Sequence, residues 1–305
     1  MRRVFLSIIV LVMLLVLSAC DLVMSLGKES EDYDVYLVSV ACNYRNTPPV
    51  VGELEGTLND QMFLSAQLAH LSSLAGVDYR AWLIRDGSVG EDGLNRDDKE
   101  SHLVRIHGSS KTSTVIDQVD RDGIDKVIDE VASLVDGDDL VVFHYSGHGY
   151  EGTGDLFLPC TCRGYRYPLD ELASRLETIP CNRLIVLDSC YSGNIVDESM
   201  DDDRRGLENL FTRYEIPASR TWYSAASQDD EESYTDDESY PVPFGAHSAG
   251  ILKALGFDIM SLRPDRPDED VLTMNMMLDM ARTEYRSQHS SSTSGTRDMV
   301  LFRFD

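Results

Sequence analysis

The sequence is poor in positive charge. It holds 27 lysine and arginine residues against 53 aspartate and glutamate residues, which gives a net charge of −26. This balance argues against nucleic-acid binding, because the phosphate backbone would be repelled. Apolar residues make up 42% of the 305 positions, which is enough to fill the core of one large domain or two small ones.

The sequence also lacks the cysteine spacing of a metal or redox site. Cys160-x-Cys162 does not have the two-residue spacer of such motifs, and no second pair completes a zinc set. Apart from Cys20, five cysteines remain, so at least one thiol is unpaired in an oxidising compartment. The spacing leaves open which of Cys42, Cys160, Cys162 and Cys181 pair with one another.

A long apolar run is confined to the N-terminus. Two arginines precede residues 4–17, which are apolar apart from Ser7, and Leu17-Ser18-Ala19-Cys20 ends the run. This order is typical of a bacterial lipoprotein signal peptide, in which residues 1–19 are removed and Cys20 is lipidated. An uncleaved anchor is the alternative, although the run is short for a bilayer span. We expect an exported protein held to the membrane of the bacterial cell envelope by its N-terminal lipid.

The rest of the chain divides into a tether and a folded domain. Residues 20–33 are expected to be the lipidated cysteine and a polar tether, and residues 34–305 the domain. Strand and helix patterns alternate along the domain, whereas the polar stretch Ser88–Thr114 is expected to be a loop. This alternation predicts the α/β class, as a three-layer sandwich with a mainly parallel central sheet and helices on both faces.

Two short motifs each follow an apolar strand pattern. His144-Tyr145-Ser146-Gly147-His148-Gly149 follows Leu140–Phe143, and Asp188-Ser189-Cys190-Tyr191-Ser192-Gly193 follows Leu184–Leu187. Because active sites in parallel sheets lie at the carboxyl ends of strands, we expect His148 and Cys190 to meet there. A thiol beside an imidazole that accepts its proton is the arrangement that nucleophilic catalysis needs.

These motifs resemble those of the caspase-like cysteine peptidases, the metacaspase branch most of all. Asn59-Asp60 and Ala225–Asp229 fit the same pattern, whereas the Gln-Ala-Cys segment of animal caspases is absent. The resemblance extends from about Asp34 to Asp305. It implies a cysteine endopeptidase that acts on peptides or proteins.

The resemblance also implies roles for individual residues. His148 is the base and Cys190 the nucleophile, and the backbone N–H groups of Gly149 and Cys190 bind the oxyanion. Asp60 and Asp188 line the first specificity pocket, and Ser146 is expected in the same cleft. Two carboxylates there favour arginine or lysine before the scissile bond.

Several alternatives stay open at this point. A catalytically silent binding module, or a peptidase of the same fold that prefers asparagine or aspartate, would share these motifs. We expect no cofactor and no metal, although calcium, which is frequent in metacaspases, is an alternative. The acidic stretches Asp201–Asp203 and Asp229–Glu238 are interpreted as solvated loops. Self-cleavage near Arg204-Arg205 is a further hypothesis.

Overall fold

The computed structural model describes most of the chain after residue 32. The described residues are 33–45, 52–90, 92, 96, 98–160, 163–195, 220–228, 231–233, 235–236, 240–284, 291–293 and 298–304. The expected signal peptide, Cys20, the tether up to residue 32, Cys162 and residues 201–205 lie outside them. Asp34–Asp305 form one compact unit. Among the described helices, none has the length and hydropathy needed to cross a bilayer.

Strands and helices alternate along the domain. The strands are β1 (Val35–Cys42), β2 (Tyr79–Asp86), β3 (Ser101–His107), β4 (Ser110–Ile116), β5 (Leu140–Ser146), β6 (Leu156–Phe157), β7 (Arg166–Tyr167), β8 (Asn182–Asp188), β9 (Thr221–Ala225), β10 (Thr235–Asp236), β11 (Phe244–Gly245), β12 (Val271–Thr273), β13 (Ser291–Thr293) and β14 (Val300–Arg303). The helices are α1 (Thr57–Ala75), α2 (Arg121–Ala132), α3 (Leu169–Leu176), α4 (Ala246–Ala254) and α5 (Met274–Glu284).

Eight strands form one sheet in the order β13-β9-β8-β5-β1-β2-β3-β4. The five strands from β9 to β2 are parallel, and β3, β4 and β13 add to the edges as antiparallel strands. The order reverses between β1 and β5, since β2 lies on the other side of β1. Crevices at the carboxyl ends of strands beside such a reversal are the usual ligand sites of α/β sheets.

Alternating side chains of the sheet fill two cores. Val141 and Phe143 of β5 pack with Ile124 and Ile128 of α2 on one face. On the other face, Val142 lies with the apolar side chains Leu64 and Leu68 of α1, Ile251 of α4 and Met277 of α5. Strands buried on both faces read as continuous apolar runs, which is why the sequence pattern was strong there. The predicted three-layer sandwich is confirmed.

The prediction of a loop over Ser88–Thr114 is wrong in its second half. Strands β3 and β4 form an antiparallel hairpin at the sheet edge, and β3 pairs with β2. Every residue of β4 is at least partly exposed, and only Val104 of β3 is buried. An edge hairpin that buries one apolar side chain gives little hydrophobic periodicity, so pairing with β2 decides its structure.

Candidate active site

Strands β5 and β8 end side by side, with Ser146 opposite Asp188 in the parallel register. Just beyond these ends, His148 and Cys190 line one cleft of about 450 Å³ that opens to solvent. The other residues that line it are Leu54, Gly56, Thr57, Asp60, Ser146, Gly147, Asp188, Ser189, Ser233 and Gly245. The structure therefore brings together the histidine, the cysteine and the three expected pocket residues. Gly149 lies directly beside the cleft, next to Cys190.

The His148 ring is held by a backbone carbonyl. Its Nε2 lies 2.8 Å from the carbonyl oxygen of Gly52. Because a carbonyl only accepts, Nε2 carries the hydrogen in this contact, and Nδ1 of the neutral ring carries the lone pair. Burial lowers the pKa of His148, and the Gly52 hydrogen bond opposes this more weakly. The neutral form of the His148 ring is therefore favoured, and its Nδ1 can accept a proton.

Cys190 lies in the turn that follows β8. Burial raises the pKa of its thiol, and the N–H of Ser233, 3.4 Å from Sγ, partly offsets that rise. The raised pKa of Cys190 and the lowered pKa of His148 both favour a neutral thiol and a neutral imidazole over an ion pair.

The segment that contacts Cys190 belongs to a stretch interpreted from sequence as a solvated loop. Ser233 directs its N–H toward Cys190 Sγ, and its Oγ donates to Asp188 Oδ1 at 3.0 Å. Glu231 accepts the N–H of Tyr191 through its carbonyl oxygen at 2.8 Å. Residues 231–233 do form a loop and Glu232 is exposed. Backbone contacts, which side-chain polarity does not report, nevertheless hold Glu231 and Ser233 at the cleft.

Asp60 and Asp188 meet at the bottom of the cleft. They are 0% and 4% exposed, so neither carboxylate is a surface charge. Asp60 Oδ2 accepts from Ser146 Oγ at 2.7 Å, and Asp188 Oδ2 accepts from the Ser248 N–H at 2.8 Å. Burial raises the pKa of Asp60, and the nearby charge of Asp188 raises it further. Two buried like charges are costly unless a cation joins them.

Gly245 separates the two carboxylates. A Cβ at this position would lie 2.2 Å from Asp188 Oδ2 and 2.9 Å from Asp60 Oδ2. The Gly245 N–H donates to Asp60 Oδ1 at 3.0 Å, and Gly245 is the N-cap of α4. Backbone N–H groups at the start of α4 therefore face both carboxylates and stabilise their charge.

His144, the competing histidine, is a packed residue. It is fully buried, with Nδ1 2.9 Å from Ser39 Oγ and Nε2 3.1 Å from Ser248 Oγ. Burial lowers its pKa to about 3, so the ring is neutral. Two serine hydroxyls satisfy its nitrogens, and it does not line the cleft with Cys190.

The described residues offer one group of side chains that converge like metal ligands. Ligand atoms of Asp98, Glu100 and His102 lie within 4.8 Å of one another, near β3 and not in the cleft. Asp98 Oδ2 and His102 Nε2 already form a pair at 2.9 Å. Calcium prefers a shell of oxygen ligands, so this group does not fit the calcium alternative.

Sequence reasoning missed four residues of this site. Gly52 contacts His148 through its backbone carbonyl, and Tyr44 does so through its hydroxyl. Gly245 leaves room for two carboxylates because it has no side chain. Ser233 lies in an acidic stretch. Tyr44 contacts His148 across a separation of 104 residues. A strand end had marked Cys190 and His148, but no comparable local signal marks a contact partner this distant.

Comparison with known proteins shows the family and the fold of this chain. A family model described as "Caspase domain" matches residues 40–251, more than half of the chain. The crystal structure of caspase-1 from Spodoptera frugiperda superposes with a TM-score of 0.51 and 13% identity, over 89% of this chain and 93% of that chain. No curated protein matches significantly. The solved structure shows the same fold, and the family match shows that this chain belongs to the caspase-domain family of cysteine peptidases.

Proposed function

We propose that the protein is a metacaspase-like cysteine endopeptidase that cleaves after arginine or lysine. The observation that carries the proposal is the convergence of Asp60 and Asp188 in the cleft that His148 and Cys190 line. A thiol and its base supply the chemistry, and a buried pair of carboxylates selects a cation.

Cleavage follows from the neutral pair. As Cys190 Sγ bonds to the substrate carbonyl carbon, its proton passes to His148 Nδ1 and the carbonyl oxygen becomes an oxyanion. The N–H groups of Gly149 and Cys190 receive that oxyanion. Collapse breaks the C–N bond as His148 protonates the amine, and water then hydrolyses the acyl-enzyme.

Close packing of the backbone at Gly149 against the backbone at Cys190 supports this oxyanion assignment. A Cβ on Gly149 would lie 2.0 Å from the carbonyl oxygen of Cys190. Only glycine therefore fits between the histidine turn and the nucleophile turn. The backbone nitrogen of Cys190 lies 3.4 Å from the same Cβ position, so the two turns are in close contact where the proposed oxyanion would form.

The pocket chemistry supports arginine and lysine over other residues. The Asp60 and Asp188 carboxylates are shielded from water, and no arginine or lysine is among the described residues that line the cleft. A guanidinium or ammonium between them relieves the like-charge repulsion and makes charge-assisted hydrogen bonds. Aspartate would add a third negative charge, and asparagine would leave the pair uncompensated.

The proposal includes export and a lipid anchor. Leu17-Ser18-Ala19-Cys20 after an apolar run supports lipidation of Cys20. The domain then acts on peptides or proteins at the membrane surface, outside the cytoplasm. The dyad chemistry itself calls for no cofactor.

A panel of fluorogenic peptides that differ only in the residue before the scissile bond tests the proposal. We expect kcat/KM for arginine and lysine to exceed that for asparagine and aspartate by about 100-fold or more, as for buried charge pairs. Preference for asparagine or aspartate would contradict the pocket assignment. Absence of cleavage, with no labelling of Cys190 by an arginyl acyloxymethyl ketone, would indicate a silent module.

Gly245→Ala is expected to block this pocket. The new methyl group enters the space between the two carboxylates, where Asp188 Oδ2 is 2.2 Å away. We expect KM for arginine peptides to rise about tenfold or more, since a displaced pocket wall costs 1–3 kcal/mol. Gly137→Ala is the matched control, because the atom nearest to the added Cβ, Arg220 Nη1, would lie 3.7 Å from it, an ordinary contact distance. An unchanged KM for Gly245→Ala would contradict the pocket geometry.

A further inference from the structure

Two tyrosine hydroxyls hold the peptide groups of His148. The His148 N–H donates to Tyr44 Oη at 2.8 Å, and Tyr145 Oη donates to the His148 carbonyl oxygen at 2.8 Å. The two hydroxyl oxygens are 3.0 Å apart. Both peptide groups that flank the histidine Cα are therefore fixed from the same side of the turn.

The hydroxyl protons fit this arrangement. Tyr44 Oη donates its proton to the carbonyl oxygen of Phe157 at 2.6 Å, which leaves its lone pairs for the His148 N–H. Tyr145 keeps its own proton for the His148 carbonyl, with the Phe157 carbonyl oxygen also 2.8 Å away. Burial raises the pKa of both tyrosines, so both hydroxyls keep their protons at neutral pH.

The Tyr44 ring also contacts the histidine ring. Their centroids are 4.6 Å apart with a tilt of 40°. Gly147 makes this approach sterically feasible, because a Cβ there would lie 2.5 Å from Tyr145 Oη and 2.7 Å from Tyr44 Oη. The absence of a side chain at Gly147 thus leaves the space that the two hydroxyls occupy.

Tyr44 is itself held in a costly backbone conformation. Its φ is 61°, in the left-handed region that non-glycine residues rarely adopt. Asp86 at the end of β2 accepts the Asn43 N–H at 2.6 Å and the Tyr44 N–H at 2.9 Å. Such strain persists where the surroundings over-determine it, typically near functional sites.

We propose that Tyr44 and Tyr145 are positioning residues for catalysis, which hold His148 so that its ring spans from the Gly52 carbonyl to the cleft. The inference rests on the proposed role of His148 as the base. Neither tyrosine lines the cleft, so their effect passes through the histidine. Both act on the rate of the chemical step and leave the choice of substrate to Asp60 and Asp188.

Tyr44→Phe tests this role, because it removes the hydroxyl and keeps the ring. We expect kcat for an arginine peptide to fall about 10- to 100-fold, as for a base displaced by a fraction of an ångström to 1 Å, with KM nearly unchanged. Tyr79→Phe is the matched control, since Tyr79 is also buried and its hydroxyl donates to Ser65 Oγ at 3.0 Å. We expect Tyr79→Phe to lower the free energy of unfolding about as much as Tyr44→Phe does and to leave kcat unchanged.

Tyr145→Phe provides a second variant that removes the other hydroxyl. It should lower kcat in the same way, with the relative rates for arginine, lysine and asparagine peptides unchanged. Equal kcat for Tyr44→Phe, Tyr145→Phe and Tyr79→Phe would overturn the inference. A large change in KM with kcat retained would also overturn it, because it would place the tyrosines in substrate binding.

Alkylation by iodoacetamide separates this inference from the proposed function. Mass spectrometry follows carbamidomethylation of Cys190 across a pH series, with no peptide substrate present. We expect slower alkylation near neutral pH in Tyr44→Phe than in Tyr79→Phe, since the displaced imidazole no longer takes the thiol proton. If the peptide panel fails while this difference holds, the proposed specificity is wrong and the positioning role stands. Identical alkylation profiles overturn the positioning role alone.

Discussion

Cys190→Ala is expected to abolish peptide cleavage, with a loss in kcat of about 10⁴-fold or more, as for removal of a nucleophile. The cleft keeps His148 and both carboxylates in this variant, so it should still bind an arginine peptide. The measurements are steady-state hydrolysis and labelling by an arginyl acyloxymethyl ketone, which should both disappear. Binding of the same peptide, measured by calorimetry, should survive.

Cys181→Ala is the matched control for this experiment. Cys181 is 1% exposed and carries a free thiol just before β8. Its removal leaves a small space in the core and should lower stability without changing kcat. Labelling that persists in Cys190→Ala, or disappears in Cys181→Ala, would show that the nucleophile is another thiol.

Asp188→Asn and Asp60→Asn are expected to remove the preference for basic residues. We expect kcat/KM for arginine peptides to fall about 100- to 1,000-fold, since breaking a buried, hydrogen-bonded charge pair costs 2–5 kcal/mol. Asparagine keeps the shape of each site. In place of Asp188 its oxygen can accept the Ser248 N–H while its amide donates to Ser233 Oγ.

Stability separates this specificity effect from misfolding. The pKa of Asp60 is higher in the folded state than in the unfolded state. The Asp60 carboxyl therefore makes the folded state less stable as the pH rises from its unfolded-state pKa through its folded-state pKa. Asp60→Asn lacks this loss, so its free energy of unfolding should gain on that of the wild type as the pH rises. A pocket role for Asp60 would be contradicted if Asp60→Asn were less stable than the wild type at neutral pH and also cleaved asparagine peptides more slowly than the wild type.

The sequence predicts the fold, and the meeting of His148 and Cys190 in one cleft, because both are marked locally. Buried parallel strands read as continuous apolar runs, and His148 and Cys190 follow two such runs directly. Asp60 was recognisable only through the resemblance to metacaspases, since a carboxylate on the first turn of a helix usually faces solvent. Its burial depends on Gly245, which is 185 residues away.

What the sequence did not predict depends on contacts between distant backbone atoms. The Gly52 carbonyl that holds His148, and the Ser233 N–H beside Cys190, leave no trace in residue type. The β3–β4 hairpin was missed because exposed edge strands lack hydrophobic periodicity. The expectations for lipidation of Cys20 and for cleavage at Arg204-Arg205 fall outside the described residues and stay predictions.

The neutral state of the Cys190 thiol bears on the survival of the protein in the compartment proposed for it. Oxidation by peroxide proceeds through the thiolate and begins the conversion of cysteine to sulfenic and then sulfinic acid. Burial raises the pKa of Cys190, so little thiolate is present between substrate encounters. Under the proposed function, the nucleophile is thus stored as a protonated thiol, which slows its oxidative inactivation in that compartment.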